Sequence, residues 1–139
     1  MNTDGARPGN PRRDVLAGSP LPGRCSYPLF HHGVHGTFDD FVGPAHALLS
    51  IGADAGSALP PAGRAFLGTL GTVLVRIVPP DGDAAAGYCD LDFAYTAFLA
   101  GYRRQAALVR PDGTVYGSAV EPAGLPALVA GLRAELARG

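Results

Sequence analysis

Cysteine is scarce: Cys25 and Cys89 are the only two, 64 positions apart. That spacing contains no C-x-x-C redox pair and no four-ligand zinc pattern. Spacing does not give distance, so a disulfide between them stays open. Cys packs as a small hydrophobe and nothing else marks a secreted protein, which favours two unpaired, buried thiols. Lysine is absent: all 11 cations are arginine, and 12 acidic residues leave a formal charge of -1. The broad positive field that nonspecific nucleic-acid binding needs is therefore missing. No run approaches the roughly 18 apolar residues of a membrane span. Residues 1–24, with Arg7, Arg12, Arg13, Arg24 and four prolines, lack the apolar stretch of a signal peptide. The expected setting is the cytoplasm, away from nucleic acid and membrane. G-x-G-x-x-G, the P-loop and G-x-S-x-G are also absent, so neither a nucleotide cradle nor a serine elbow is encoded.

What is present is one domain's worth of chain, 139 residues of which 47% are hydrophobic. Residues 1–23, rich in Gly, Pro and Arg, offer too little apolar surface to offset ordering and are expected to be a flexible tail, apart from a short turn around Arg13 to Ala17 that is too brief to fold alone. The domain is expected over 24–139. Thr37-Phe38-Asp39-Asp40 has the form of a capping box opening a short helix that Gly43-Pro44 stops. His46 to Ile51 (HALLSI) and Val73 to Val78 (VLVRIV) predict buried strands, with a helix around Arg64 to Leu70 between them. Asp92 is expected to cap a largely enclosed helix carrying Phe93, Tyr95, Phe98, Leu99 and Tyr102. Arg110-Pro111-Asp112-Gly113 then reads as a structural turn of a β-hairpin, since Pro111 presets φ and Gly113 supplies a positive φ. Leu125, Leu128, Val129, Leu132 and Leu136 mark a closing amphipathic helix. A β-α-β unit followed by helix, hairpin and helix is the order of the thioredoxin fold, an α/β class with a central mixed sheet and helices on both faces.

His31-His32-Gly33-Val34-His35 is the densest group of potential metal ligands. No second His or Cys cluster stands at a familiar interval, so a surface loop with solvated imidazoles is the simpler reading. The carboxylate pairs Asp39/Asp40 and Asp90/Asp92 sit where helix capping already accounts for them. Redox members of the thioredoxin fold place a nucleophilic thiol just after the central strand. This chain reads Gly52-Ala53-Asp54-Ala55-Gly56-Ser57 there, which leaves no route to disulfide exchange. No cofactor is expected.

Beyond these residue-level readings, the chain resembles the C-terminal thioredoxin-like domain of class A flavoprotein aromatic hydroxylases, the group of phenol hydroxylase and 3-(3-hydroxyphenyl)propionate hydroxylase. The resemblance is carried by Gly18 to Pro22, His35 to Gly43, the strand His46 to Ile51, Asp90 to Tyr95, and Ala107 to Gly117 with its Arg-Pro-Asp-Gly turn. It implies a domain without redox cysteines that serves packing and subunit contacts, while flavin and substrate sites belong to domains with no counterpart in these 139 residues. No catalytic or flavin-contacting residue is carried over; Arg110, Asp112 and Gly113 correspond only as the turn.

The expected role is thus a noncatalytic accessory or oligomerisation domain, associating with itself or with a separate flavin hydroxylase in aromatic or polyketide metabolism, rather than an enzyme by itself. Two alternatives stand beside it. One is a small ligand- or metal-binding protein or enzyme using His31, His32 and His35 with Cys25 or Cys89. The other is a remnant or fragment of a larger flavin monooxygenase.

Overall fold

The structure is a computed structural model that describes residues 14–52 and 54–138. Seven strands form one mixed sheet: β1 (Pro28–His31), β2 (Val34–Thr37), β3 (Ala47–Ile51), β4 (Val73–Val78), β5 (Tyr88–Asp90), β6 (Ala106–Val109) and β7 (Val115–Ala119), in the spatial order β2-β1-β5-β4-β3-β6-β7. The helices are α1 (Phe38–Val42), α2 (Pro61–Thr69), α3 (Ala94–Gly101) and α4 (Leu125–Arg138). β3 and β4 run parallel across the α2 crossover, and β6 pairs antiparallel with β3 on its other side. This is the thioredoxin-like arrangement that the element order predicts.

Strand alternation divides the core into two layers. Leu29, Leu49, Val75, Ile77, Ala107 and Val109 face one way, under Phe38 and Val42 of α1 and Tyr95 and Leu99 of α3. Leu48, Ala106, Leu108 and Tyr116 face the other, under Leu67 of α2 and Leu125, Leu128 and Leu132 of α4. Helices therefore lie on both faces of the sheet.

Four local features differ from the sequence reading. The tail expected over 1–23 is packed from Asp14 to Leu21: Leu16 and Leu21 are fully buried, and Gly18 N and Ser19 O bond Val115 on the free edge of β7. Those residues cannot fold alone, but a finished sheet edge offers them backbone partners and apolar sockets. The rest of the expected tail, residues 1–13, lies outside the described residues. The stretch 31–35 is a hairpin rather than a loop, with His32 (φ 49°) and Gly33 (φ 77°) turning β1 into β2. The helix α3 is capped by Asp90, whose Oδ2 accepts from Thr96 N and Thr96 Oγ1, both at 2.8 Å. Asp92 makes no such bond; Phe93 occupies the N-cap position. Finally, α3 is not enclosed: Phe93, Ala97, Ala100 and Gly101 are exposed.

Candidate functional site

After β3, Gly52 turns the chain at φ 74°. Asp54 Oδ1 accepts from Gly56 N at 3.0 Å, and Ser57 Oγ donates to Asp54 O at 2.8 Å, fixing a single 3-10 turn over Ala55–Ala58. Arg76 Nε donates to Gly52 O. None of residues 52 and 54–57 is a thiol, and the hydrogen bonds are those of a self-satisfied turn.

The two cysteines are unpaired and buried. They lie on opposite sides of the sheet. Cys25 packs in the α1/α3 layer. Cys89, in register with Phe30 and Val78, points the other way, and its Sγ donates to Gly82 O at 3.4 Å. Burial pushes the Cys25 thiol up, and the carboxylates of Asp39 and Asp112 push it further. Burial with Asp83 and Asp81 does the same to Cys89. Every influence resolved on either thiol raises it, so neither is drawn toward the thiolate.

Cys25 lines a cleft of about 230 Å³ with Pro20, Arg24, Asp112 and Gly113 at the end of the sheet. The turn enters this cleft because Gly113 N donates to Arg110 O at 2.9 Å and Asp112 Oδ1 accepts from Thr114 N and Oγ1 at 2.9 and 2.6 Å. Those bonds hold the Asp112 carboxyl below its ordinary range. Arg110 lines the adjoining space beside Cys25 and Asp112, pairs with Glu135 of α4 at 3.1 Å and lies 5.1 Å over the Tyr116 ring. Burial and Arg110 together lower His46. The turn residues thus tie the hairpin to α4 and to themselves.

Of the three candidate imidazoles, His31 and His32 meet edge-on at 4.2 Å and His35 stands apart from them. His31 stacks on Tyr88 at 3.7 Å and its Nδ1 meets Gly87 O at 2.9 Å, while Phe41 meets it edge-on. His32 sits at the hairpin tip. His35, in register with Phe30, packs on that ring at 4.6 Å on the opposite sheet face. Alternation along two short strands separates what sequence proximity suggested. Among the described residues no group of three or more His, Cys, Asp or Glu is placed to hold a metal ion.

Residues 30–135 match the family model described as the HcaD C-terminal domain. The chain belongs to that family. No curated protein matches it. Among solved structures, it is similar to the flavin-dependent monooxygenase PieE, crystallised with FAD and substrate, at a TM-score of 0.60 and 22% identity over 88% of this chain. It is also similar to aklavinone-11 hydroxylase in its ternary complex with FAD and aklavinone, at 0.51 and 28% over 78%. The matched regions make up 20% and 19% of those chains, so the chain spans about a fifth of their length. A PrxQ mutant from Xylella fastidiosa matches at 0.54 and 13% identity over 86% of this chain and 96% of its own, which shows the fold alone. The relation to the C-terminal domain of flavin monooxygenases, expected from the Arg-Pro-Asp-Gly hairpin and its companions, is thereby established.

Proposed function

We propose that this HcaD C-terminal domain is a noncatalytic association domain that packs against a flavin-dependent aromatic or polyketide hydroxylase, or against itself. The observation that carries the reading is the pairing of a thioredoxin-like scaffold with two thiols that are buried, raised above the ordinary thiol value and placed on opposite sides of the sheet. A fold whose redox position is occupied by a self-bonded Asp54 turn offers surfaces rather than a nucleophile. The one-fifth coverage of PieE and aklavinone-11 hydroxylase supports the hydroxylase as partner, whether the rest of it lies in the same chain or another.

Light scattering after size exclusion, for the chain alone and mixed with a flavin-dependent aromatic hydroxylase, tests this reading. Association, or a change in the hydroxylase's thermal stability or turnover, is the expected result. A strict monomer that alters neither counts against it. Thiol-disulfide exchange activity in the isolated chain would overturn the noncatalytic part.

A further inference from the structure

The helix α3 carries no charged side chain across Ala94–Gly101. A helix apolar on all sides belongs in an enclosed position, yet only Tyr95 and Leu99 of α3 are buried. Within α3 the exposed residues Ala97, Ala100 and Gly101 share one open face by their i, i+3, i+4 spacing, and exposed Phe93 stands at its N-terminal end. Phe93 is 54% exposed and held at φ 57°, a left-handed conformation that is costly for a bulky side chain. This strain displays an aromatic ring at the N-terminal end of the face. At the other end the surface is low: a Cβ added to Gly101 would meet nothing within 4 Å. Exposed Asp92 precedes the face and exposed Arg103 follows it, and neither side chain has an ion pair or hydrogen bond among the described residues. Two copies of the face laid antiparallel bring large against small and acid against base.

We propose that a second copy of this chain covers the open face of α3, crossing it antiparallel about a two-fold axis near Ala97. Phe93 of each copy then seats over Ala100 and Gly101 of the other, and Asp92 of each lies beside Arg103 of the other. The contact is isologous, so one patch serves both subunits, and the opposed helix dipoles favour it. This names the partner and the surface for the association reading above and rests on it. A short helix with its flanks buries little area, which places the dimer at the weak, transient end of the interface range.

Sedimentation velocity over a concentration series at two salt levels reads the equilibrium. A micromolar dimer that weakens with salt is expected. Phe93→Gly removes the ring and relieves the left-handed strain, so Tm holds or rises while the dimer weakens at least tenfold. Gly101→Glu, at a position with open space above it, weakens the dimer similarly. Asp92→Arg and Arg103→Asp each weaken it, and the double exchange restores it. A strict monomer at hundreds of micromolar overturns the α3 dimer, while binding to a hydroxylase would still uphold association. A dimer indifferent to Phe93→Gly and Gly101→Glu overturns this interface and leaves self-association standing.

Discussion

Asp14 and Ser118, separated by 104 positions in sequence, are joined by two hydrogen bonds: Ser118 N donates to Asp14 Oδ2 at 2.6 Å and Ser118 Oγ to Oδ1 at 2.7 Å. Leu16 N donates to the same Oδ1 at 2.9 Å. The neighbouring Gly117 makes room for α4: a Cβ there would stand 2.5 Å from Leu128 Cδ1, while its 3.4 Å from Asp14 Oδ2 is ordinary contact. One carboxylate therefore starts a strap that seals the edge of β7, with Leu16 and Leu21 as its apolar anchors.

Removing the hook should cost stability although Asp14 lies outside every regular element. Asp14→Ala deletes an acceptor shared by three donors, and a hydrogen bond to a charged group contributes a net of about 1.5–3 kcal/mol. A net loss of about 2 kcal/mol is expected in urea unfolding. Leu16→Ala, emptying a fully buried site, should cost about 2–5 kcal/mol. If deletion of residues 1–22 left the unfolding midpoint unchanged, the strap would contribute nothing.

The start of α3 gives a second test, one that separates two acids two positions apart. Asp90 is fully buried and caps the helix through Thr96, whereas Asp92 is exposed. Asp90→Ala should destabilise the fold by about 1–2 kcal/mol, and Asp92→Ala should change monomer stability by less than about 0.5 kcal/mol. The reverse order in thermal unfolding would restore Asp92 as the cap.

These two regions show what was legible in the sequence and what was not. The run VLVRIV, the Thr37 and Asp40 capping box and the Arg110 to Gly113 turn each act locally, so their residues announce them, and each is found where expected. The strap is invisible alone because its partners are on β7, a hundred residues later. β5 has three residues, too few for periodicity to register, and the β1-β2 turn uses His32 at positive φ where Gly or Asn would have signalled it. The histidines show the same limit: without the hairpin, alternation could not assign His31 and His35 to opposite faces. The exposed face of α3 was hidden because an all-apolar helix reads as core.

The thiols and phenols set the alkaline limit of the fold. Burial raises Cys25, Cys89, Tyr88, Tyr95 and Tyr116. Each therefore holds its proton more tightly folded than unfolded. Their contribution is complete below the ordinary thiol and phenol values and is lost as pH rises through the raised folded ones. His46 has the opposite sign, its lowered value giving stability that is complete above the ordinary imidazole range and lost as pH falls below it. Urea unfolding from about pH 5 to 10 should show a neutral plateau falling at both ends. At pH 7 a thiol reagent should label neither cysteine until the chain unfolds; rapid labelling of one in the native state would contradict its protonated, buried placement.

Gly113 joins backbone and packing at the cleft, so its replacement carries two separable costs. Its φ of 85° lies in the region that side chains avoid, and an added Cβ would stand 3.0 Å from Cys25 Sγ. Gly113→Val should destabilise the domain by about 1–3 kcal/mol, the strain accounting for roughly 1–2 of it. Cys25→Ala in the same background removes the sulfur in the way but leaves φ unchanged. The double mutant should therefore recover the packing part only, and a double-mutant cycle with Gly113→Ala should show coupling of about 0.5 kcal/mol or more. Strictly additive losses would mean that Gly113 and Cys25 do not touch, and a Gly113→Val protein as stable as the parent would mean that the hairpin turns without a left-handed residue.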